Sequence, residues 1–310
     1  MVKKYTIKEL LDSVDEPVEV YKRFANEFTK DDIMYALSKD MDTINLIKYV
    51  KDKFDPETIK YYIKKNIKIN DNNNEFFKFL VKNFKDKFDK ELIGLAFEYG
   101  VSSDIIFKDL KDKFNKEDIK YIIEKIRYID HLEDLCEYFK KEIDKDFIKI
   151  IIDKGVKLKM FFENIYRALN NKFDKELIKY AIDAIKKDRT AMGDYDFFEQ
   201  HIDELYSYLG DKFDNELMKY LIDSFKNYGD LGYIYSRFED KFDKELIKYA
   251  IDKKASLFDL YLENKDKFDK ELIKYAIDKE ADLKSLYEYL GNKFDDELKQ
   301  LYNKKRYHKK

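Results

Sequence analysis

The chain has no tryptophan, and only two prolines, eight glycines, one cysteine and three histidines among its 310 residues. Glycine and proline punctuate turn-rich β folds, so their scarcity favours helix. A single thiol, Cys136, excludes an internal disulfide, and no Asn-x-Ser/Thr glycosylation acceptor occurs. Both features fit a reducing, intracellular setting, so the cytoplasm is the expected location. No apolar run reaches the length of a membrane span. The opening Met1-Val2-Lys3-Lys4-Tyr5 leads into a polar stretch, so no signal peptide is expected. Lys plus Arg number 62 against 65 for Asp plus Glu, a net charge of -3, which lacks the basic excess of a dedicated nucleic-acid binder.

Chemistry-bearing motifs are equally scarce. His131, His201 and His308 do not stand in a metal-ligand spacing, and Cys136 has no thiol neighbour. No dinucleotide-binding glycine motif, phosphate-binding loop or nucleophile elbow is present. Carboxylates abound, but they recur at one repeated position in a shared environment. Two-carboxylate catalysis needs one of the pair in an unusual environment. The expectation is a protein that is not an enzyme and needs neither cofactor nor metal.

What is present is a repeat. The stretch from Asp240 reads DKFDKELIKYAIDKKASLFDLYLENK and is followed by DKFDKELIKYAIDKEADLKSLYEYLG. Aligned on the aromatic of Lys-Phe-Asp, ten copies begin at Phe28, Phe54, Phe88, Phe114, Ile143, Phe173, Phe213, Phe242, Phe268 and Phe294. The residue after each anchor is Thr29, Asp55, Asp89, Asn115, Asp144, Asp174, Asp214, Asp243, Asp269 or Asp295, all good helix N-caps. Two residues on, every copy carries an acid, from Asp31 and Glu57 to Glu297, which complements the helix dipole. Pro56 takes the first helical position, the one that proline favours. A first helix, A, therefore starts at each cap, with apolar residues over a broad arc, as in Leu246 to Asp252.

A second helix, B, precedes the next anchor. Its positions four, seven, eight and eleven before that anchor are apolar, for example Leu132, Leu135, Cys136 and Phe139, an amphipathic stripe in which Cys136 is a core residue. The spacing from B to A is constant. The spacing from A to B takes up the variation between 26 and 40 residues, so insertions at Ile67–Glu75, Asp183–Asp196 and around Tyr228–Gly232 are expected to project from one edge. The expected fold is an all-α solenoid of about nine stacked helix pairs, with N-terminal capping helices at 1–25, an array at 26–292, a capping helix at 293–303 and a basic tail at 304–310.

The stretch Phe268 to Lys284 resembles the second helix of an ankyrin repeat and its exit, and Ile148 to Leu158 is similar to it, with Gly155 where that family ends its helix. Helix B then matches the first ankyrin helix. The family's Thr-Pro-Leu-His turn is missing, and the 26-residue minimum falls short of 33 by roughly the length of the β-hairpin finger, so the expected alternatives are a strongly diverged, finger-less relative and another helix-pair solenoid that converged on this form. The resemblance implies a protein-recognition scaffold whose concave face and A-to-B loops bind a partner.

Within that reading, partner contact is expected at Arg189, Tyr195, Phe197, Tyr228 and Tyr233, where copies differ and aromatics with Arg supply interface anchors. The alternative is a nucleic-acid-binding solenoid. It would use a lysine column (Lys60, Lys120, Lys149, Lys179, Lys219, Lys248, Lys274) beside a tyrosine column (Tyr35, Tyr61, Tyr121, Tyr180, Tyr220, Tyr249, Tyr275), together with the tail residues Lys304, Lys305, Arg306, Lys309 and Lys310. The tail would also serve as a nuclear-import signal. Against this alternative, acids on the same helices would screen the lysines. The abundance of Lys, Asn, Ile and Tyr points to an AT-rich genome, such as that of a giant virus or a low-GC bacterium.

Overall fold

The computed structural model describes residues 5–67, 73–157, 163–192, 195–225, 228–279, 287 and 293–307. They are overwhelmingly helical, and no strand occurs among them. The chain forms two units, Met1–Glu142 and Ile143–Lys310. The division falls at the one anchor that is not phenylalanine.

In the first unit the A helices are α1 (Ile7–Asp12), α3 (Lys30–Ser38), α5 (Pro56–Asn66), α7 (Lys90–Glu98) and α9 (Lys116–Lys125). They alternate with B helices α2 (Val18–Phe24), α4 (Thr43–Val50), α6 (Asn74–Phe84), α8 (Ser103–Leu110) and α10 (Ile129–Tyr138). Each A helix packs on the next A helix, while α2 packs on α4 and α8 on both α6 and α10. The second unit repeats the scheme with A helices α11 (Lys145–Lys157), α13 (Lys175–Met192), α15 (Asn215–Ser224), α17 (Lys244–Asp252), α19 (Lys270–Asp278) and α20 (Asp296–Tyr307). Its described B helices are α12 (Glu163–Leu169), α14 (Tyr195–Leu209), α16 (Tyr228–Arg237) and α18 (Leu257–Glu263).

Every predicted cap is made. The side chains of Thr29, Asp55, Asp89, Asn115, Asp144, Asp174, Asp214, Asp243, Asp269 and Asp295 each accept the backbone N–H three residues on. The constant B-to-A spacing has a physical cause. In eight copies a single 3₁₀ turn, such as Lys51–Lys53 or Lys265–Lys267, leads straight into the anchor residue, which is extended in seven of them. Nine of the ten anchors are buried and Phe114 is half-buried. In several copies a B-helix tyrosine seven residues earlier meets the anchor edge-on, as in Tyr166–Phe173 at 5.2 Å and Tyr235–Phe242 at 5.3 Å. Such pairs add about 0.5–1.5 kcal/mol beyond their area burial. Cys136 fills that tyrosine place in its own copy, fully buried, and burial pushes its thiol pKa up.

Three expectations need correction. The insertions are not simply projecting loops. Helix α13 continues through Asp183 to Met192 because Ala184 and Ile185 extend its buried face, and residues 228–232 belong to α16. Gly155 does not end its helix, since α11 runs on to Lys157 with Gly155 buried inside it. The last helix reaches Tyr307, so residues 304–307 of the expected tail are helical. The B-helix stripe at 283–290, Tyr287 apart, lies outside the described residues.

Candidate interaction surface

The lysine and tyrosine columns lie side by side on the A helices, where they form a ladder between repeats. On α11, α13, α17 and α19 of the second unit, the lysine at the first helical position and the column lysine both reach forward to the next A helix. Lys175 pairs with the cap Asp214 at 2.5 Å, and Lys179 with Glu216 at 2.6 Å. Lys149 pairs with Glu176 at 2.6 Å and Lys248 with Glu271 at 2.9 Å, while Lys274 also reaches Glu297. The tyrosines reach backward. The hydroxyls of Tyr180, Tyr220, Tyr249 and Tyr275 donate to Asp153, Asp183, Asp223 and Asp252 on the preceding A helix, at 2.6–2.9 Å. Lys253 and Lys279 join the same acids. Column lysines also lie over the next tyrosine ring, as Lys179 does over Tyr220 at 5.3 Å.

The first unit has the same ladder with interruptions. Lys60 pairs with Glu91 at 2.7 Å and Tyr35 donates to Asp12 at 2.6 Å. Gly94 replaces the column lysine, and the Tyr121 ring sits over it so closely that an added Cβ would lie 2.7 Å from Cε1. The screening acids expected on the same helix contribute only long contacts, such as Lys60–Glu57 at 3.8 Å and Lys248–Glu245 at 3.7 Å. The close partners come from the neighbouring repeat. The tyrosines are half-buried between helices and are not core residues.

This network shifts the titrations of its members. At Asp55, burial would raise the pKa, but hydrogen bonds from Lys30 and Thr58 outweigh it and bring it down to about 2. The Lys149 ammonium beside Glu176 lowers that carboxyl below its usual range. Burial and the hydrogen bond to Asp183 push Tyr220 up to about 12.

One contact had a signal in the sequence that went without a role. The lysine directly before the anchor donates across the repeat boundary to backbone carbonyls at the preceding anchor turn. Lys87 Nζ reaches the carbonyls of Asp52 and Phe54 at 2.9 and 2.5 Å, Lys172 that of Ile143, Lys212 those of Asn170 and Phe173, and Lys267 that of Glu239. The clue was the lysine that precedes the anchor in eight of the ten copies.

The expected partner residues fare differently. Arg189 is on α13, Tyr195 and Phe197 open α14 and Tyr228 opens α16, but their side chains lie outside the described residues. Tyr233 is half-buried. Its ring stands 6.3 Å from that of the buried Phe198, and burial followed by a hydrogen bond to Asp203 raises its pKa, so it serves packing and is not an exposed anchor. Lys304 is exposed on α20, the side chains of Lys305 and Arg306 are outside the described part, and Lys309 and Lys310 lie wholly outside it. His131 and His201 are buried in B helices. His131 packs 5.2 Å from Phe97, and burial lowers its pKa.

Exposed large apolar side chains collect elsewhere. Of the five such residues described, Val14, Ile44 and Tyr128 all stand where an A helix hands over to a B helix in the first unit. Ile44 is 69% exposed and Tyr128 is 55% exposed, with Tyr128 beside the left-handed Gly100 (φ 70°). Sequence reasoning did not single out these three, because Val14 and Tyr128 stand in short connections and Ile44 stands off the apolar stripe of α4, so none of them contributes to a period. Among the described residues no helix is long and apolar enough to cross a membrane. No protein-family model matches the chain, and no curated protein matches it in sequence.

Proposed function

We propose that the protein is an interaction scaffold that binds other proteins along its A-to-B edge. The observation that carries this reading is a division of labour across the surface. The charged A-helix face is engaged between neighbouring repeats, while the exposed Val14, Ile44 and Tyr128 sit where copies vary in length. Exposed aliphatic and aromatic groups in a polar rim are the usual anchors of protein interfaces. The resemblance to ankyrin helices favours the same role. Five of the seven column lysines (Lys60, Lys149, Lys179, Lys248 and Lys274) pair with an acid of the next A helix, and that local counter-charge weighs against a nucleic-acid groove.

A photo-crosslinking amino acid at Ile44 or Tyr128 of the full chain, irradiated in an extract of the source cells, tests the reading. Discrete adducts are expected from both positions and not from Lys120 on the exposed A-helix face. Adducts from Lys120 alone, or from none of the three, would overturn it.

A further inference from the structure

The A-to-B edge of the first unit contains a groove of about 500 Å³ between the ends of α1 and α3 and the starts of α2 and α4. Its floor is aliphatic: Leu11 is buried beneath it, Pro17, Val18 and Met41 are half-buried, and Val14 is 39% exposed. Four carboxylates surround this floor, from Asp15, Glu16, Asp40 and Asp42. Lys65 answers Asp40 at 2.6 Å, and Asp42 caps α4 through the Asn45 N–H at 3.1 Å. The adjoining Lys39 sits 5.5 Å from the Tyr35 ring centroid. Asp15 and Glu16 make no hydrogen bond or ion pair with any described residue.

The second unit provides an internal comparison. A corresponding cavity of about 630 Å³ is lined by Ile222, Asp223, Phe225, Leu231, Asp252, Lys253 and Lys254. There Asp223 carries Lys253 and Asp252 carries Lys279, so the charges cancel. The left-handed residue that ends the A helix is Lys254 (φ 61°) in that copy and Asp40 (φ 53°) in the first unit, which reverses the charge at one lip. The residue capping the following B helix is the neutral Ser256 in one and Asp42 in the other. The same backbone turn thus presents balanced charge in one copy and unbalanced negative charge over aliphatic surface in the other.

We infer that the first unit's groove binds a partner peptide that places lysine or arginine beside an aliphatic side chain, the aliphatic group on Val14 and Met41 and the cations against Asp15 and Glu16. This assignment rests on the scaffold reading and names the chemistry of its partner. Apolar contact supplies retention while opposite charge supplies selection and encounter rate. Binding is therefore salt-sensitive, with screening growing as the Debye length shrinks below the groove's own dimensions.

Fluorescence anisotropy of the full chain with a fluorescein-labelled Ser-Arg-Leu-Lys-Leu-Arg-Ser peptide tests it. Binding is expected, weakening as salt rises from about 50 to about 500 mM. Asp15→Lys/Glu16→Lys should lower affinity at least about ten-fold, equivalent to about 1.4 kcal/mol. Val14→Ser should lower it as well. Asp109→Lys/Asp112→Lys makes the same change in net charge at exposed positions away from the groove and should leave affinity nearly intact. Circular dichroism confirms that each variant is folded. The assignment fails if the native chain does not bind the peptide, if both double variants weaken it equally, or if a peptide with glycine for leucine binds as well. Displacement by a peptide of residues 301–310, with concentration-dependent self-association, would replace the partner by a second copy and overturn the assignment too. Crosslinks from Ile44 and Tyr128 without peptide binding would leave the edge reading standing and remove only the groove.

Discussion

Replacing Lys212 by methionine tests the contact that joins successive repeats. The Lys212 ammonium donates to the carbonyls of Asn170 and Phe173, the latter at 2.9 Å, in a part-buried setting. Methionine keeps most of the apolar stem but leaves two carbonyls without their charged donor. A hydrogen bond to a charged group is worth about 1.5–3 kcal/mol, and water can reach part of this site, so a loss of about 2 kcal/mol is expected. For a unit of this size that corresponds to a fall in Tm of about 4–8 °C. Lys179→Met removes a column lysine whose partner Glu216 is well exposed, and it should move the transition far less, because exposed ion pairs contribute little. Urea unfolding followed by circular dichroism, with thermal scans alongside, measures both. If Lys212→Met leaves the midpoint unchanged, or if Lys179→Met costs as much, the assignment of strength to the carbonyl contact is refuted.

Phe242→Ala should cost about 3–5 kcal/mol, since the ring is buried and meets Tyr235 edge-on, whereas Phe114→Ala at a half-buried anchor should cost less; urea midpoints distinguish them. Lys254→Gly should stabilise by about 1 kcal/mol by removing a side chain from a left-handed position, and Gly100→Ala should destabilise; thermal scans check both signs. Lowered carboxyl pKa values contribute stability that is present above the unfolded value of about 4 and is lost as pH falls through the folded value, about 2 at Asp55. The raised tyrosines act at the other end. Their stability is present below about 10 and is lost as pH rises through the folded values, about 12 at Tyr180 and Tyr220. Unfolding measured across pH should therefore show a broad neutral plateau with an acid limb and an alkaline limb.

The caps, the anchors and the alternation of two helices were legible in the residues alone. Each depends on chemistry within one turn or on a short-range period, such as Asp214 receiving the Leu217 N–H or the stripe Leu132, Leu135, Cys136 and Phe139. Lys179 and Glu216 stand far apart in sequence, and so do Lys212 and Phe173. Their pairing requires knowing which helices become neighbours and at what register, which no local pattern contains. The same holds for Val14, Met41, Asp15 and Asp42, which share a groove only because α1 and α3 end side by side. The chain's letters set where helices begin and which faces turn inward, because capping and burial are local preferences. The tertiary structure decided which charges satisfy one another and which remain open to a partner, because electrostatics depends on distance in space and not on distance along the chain.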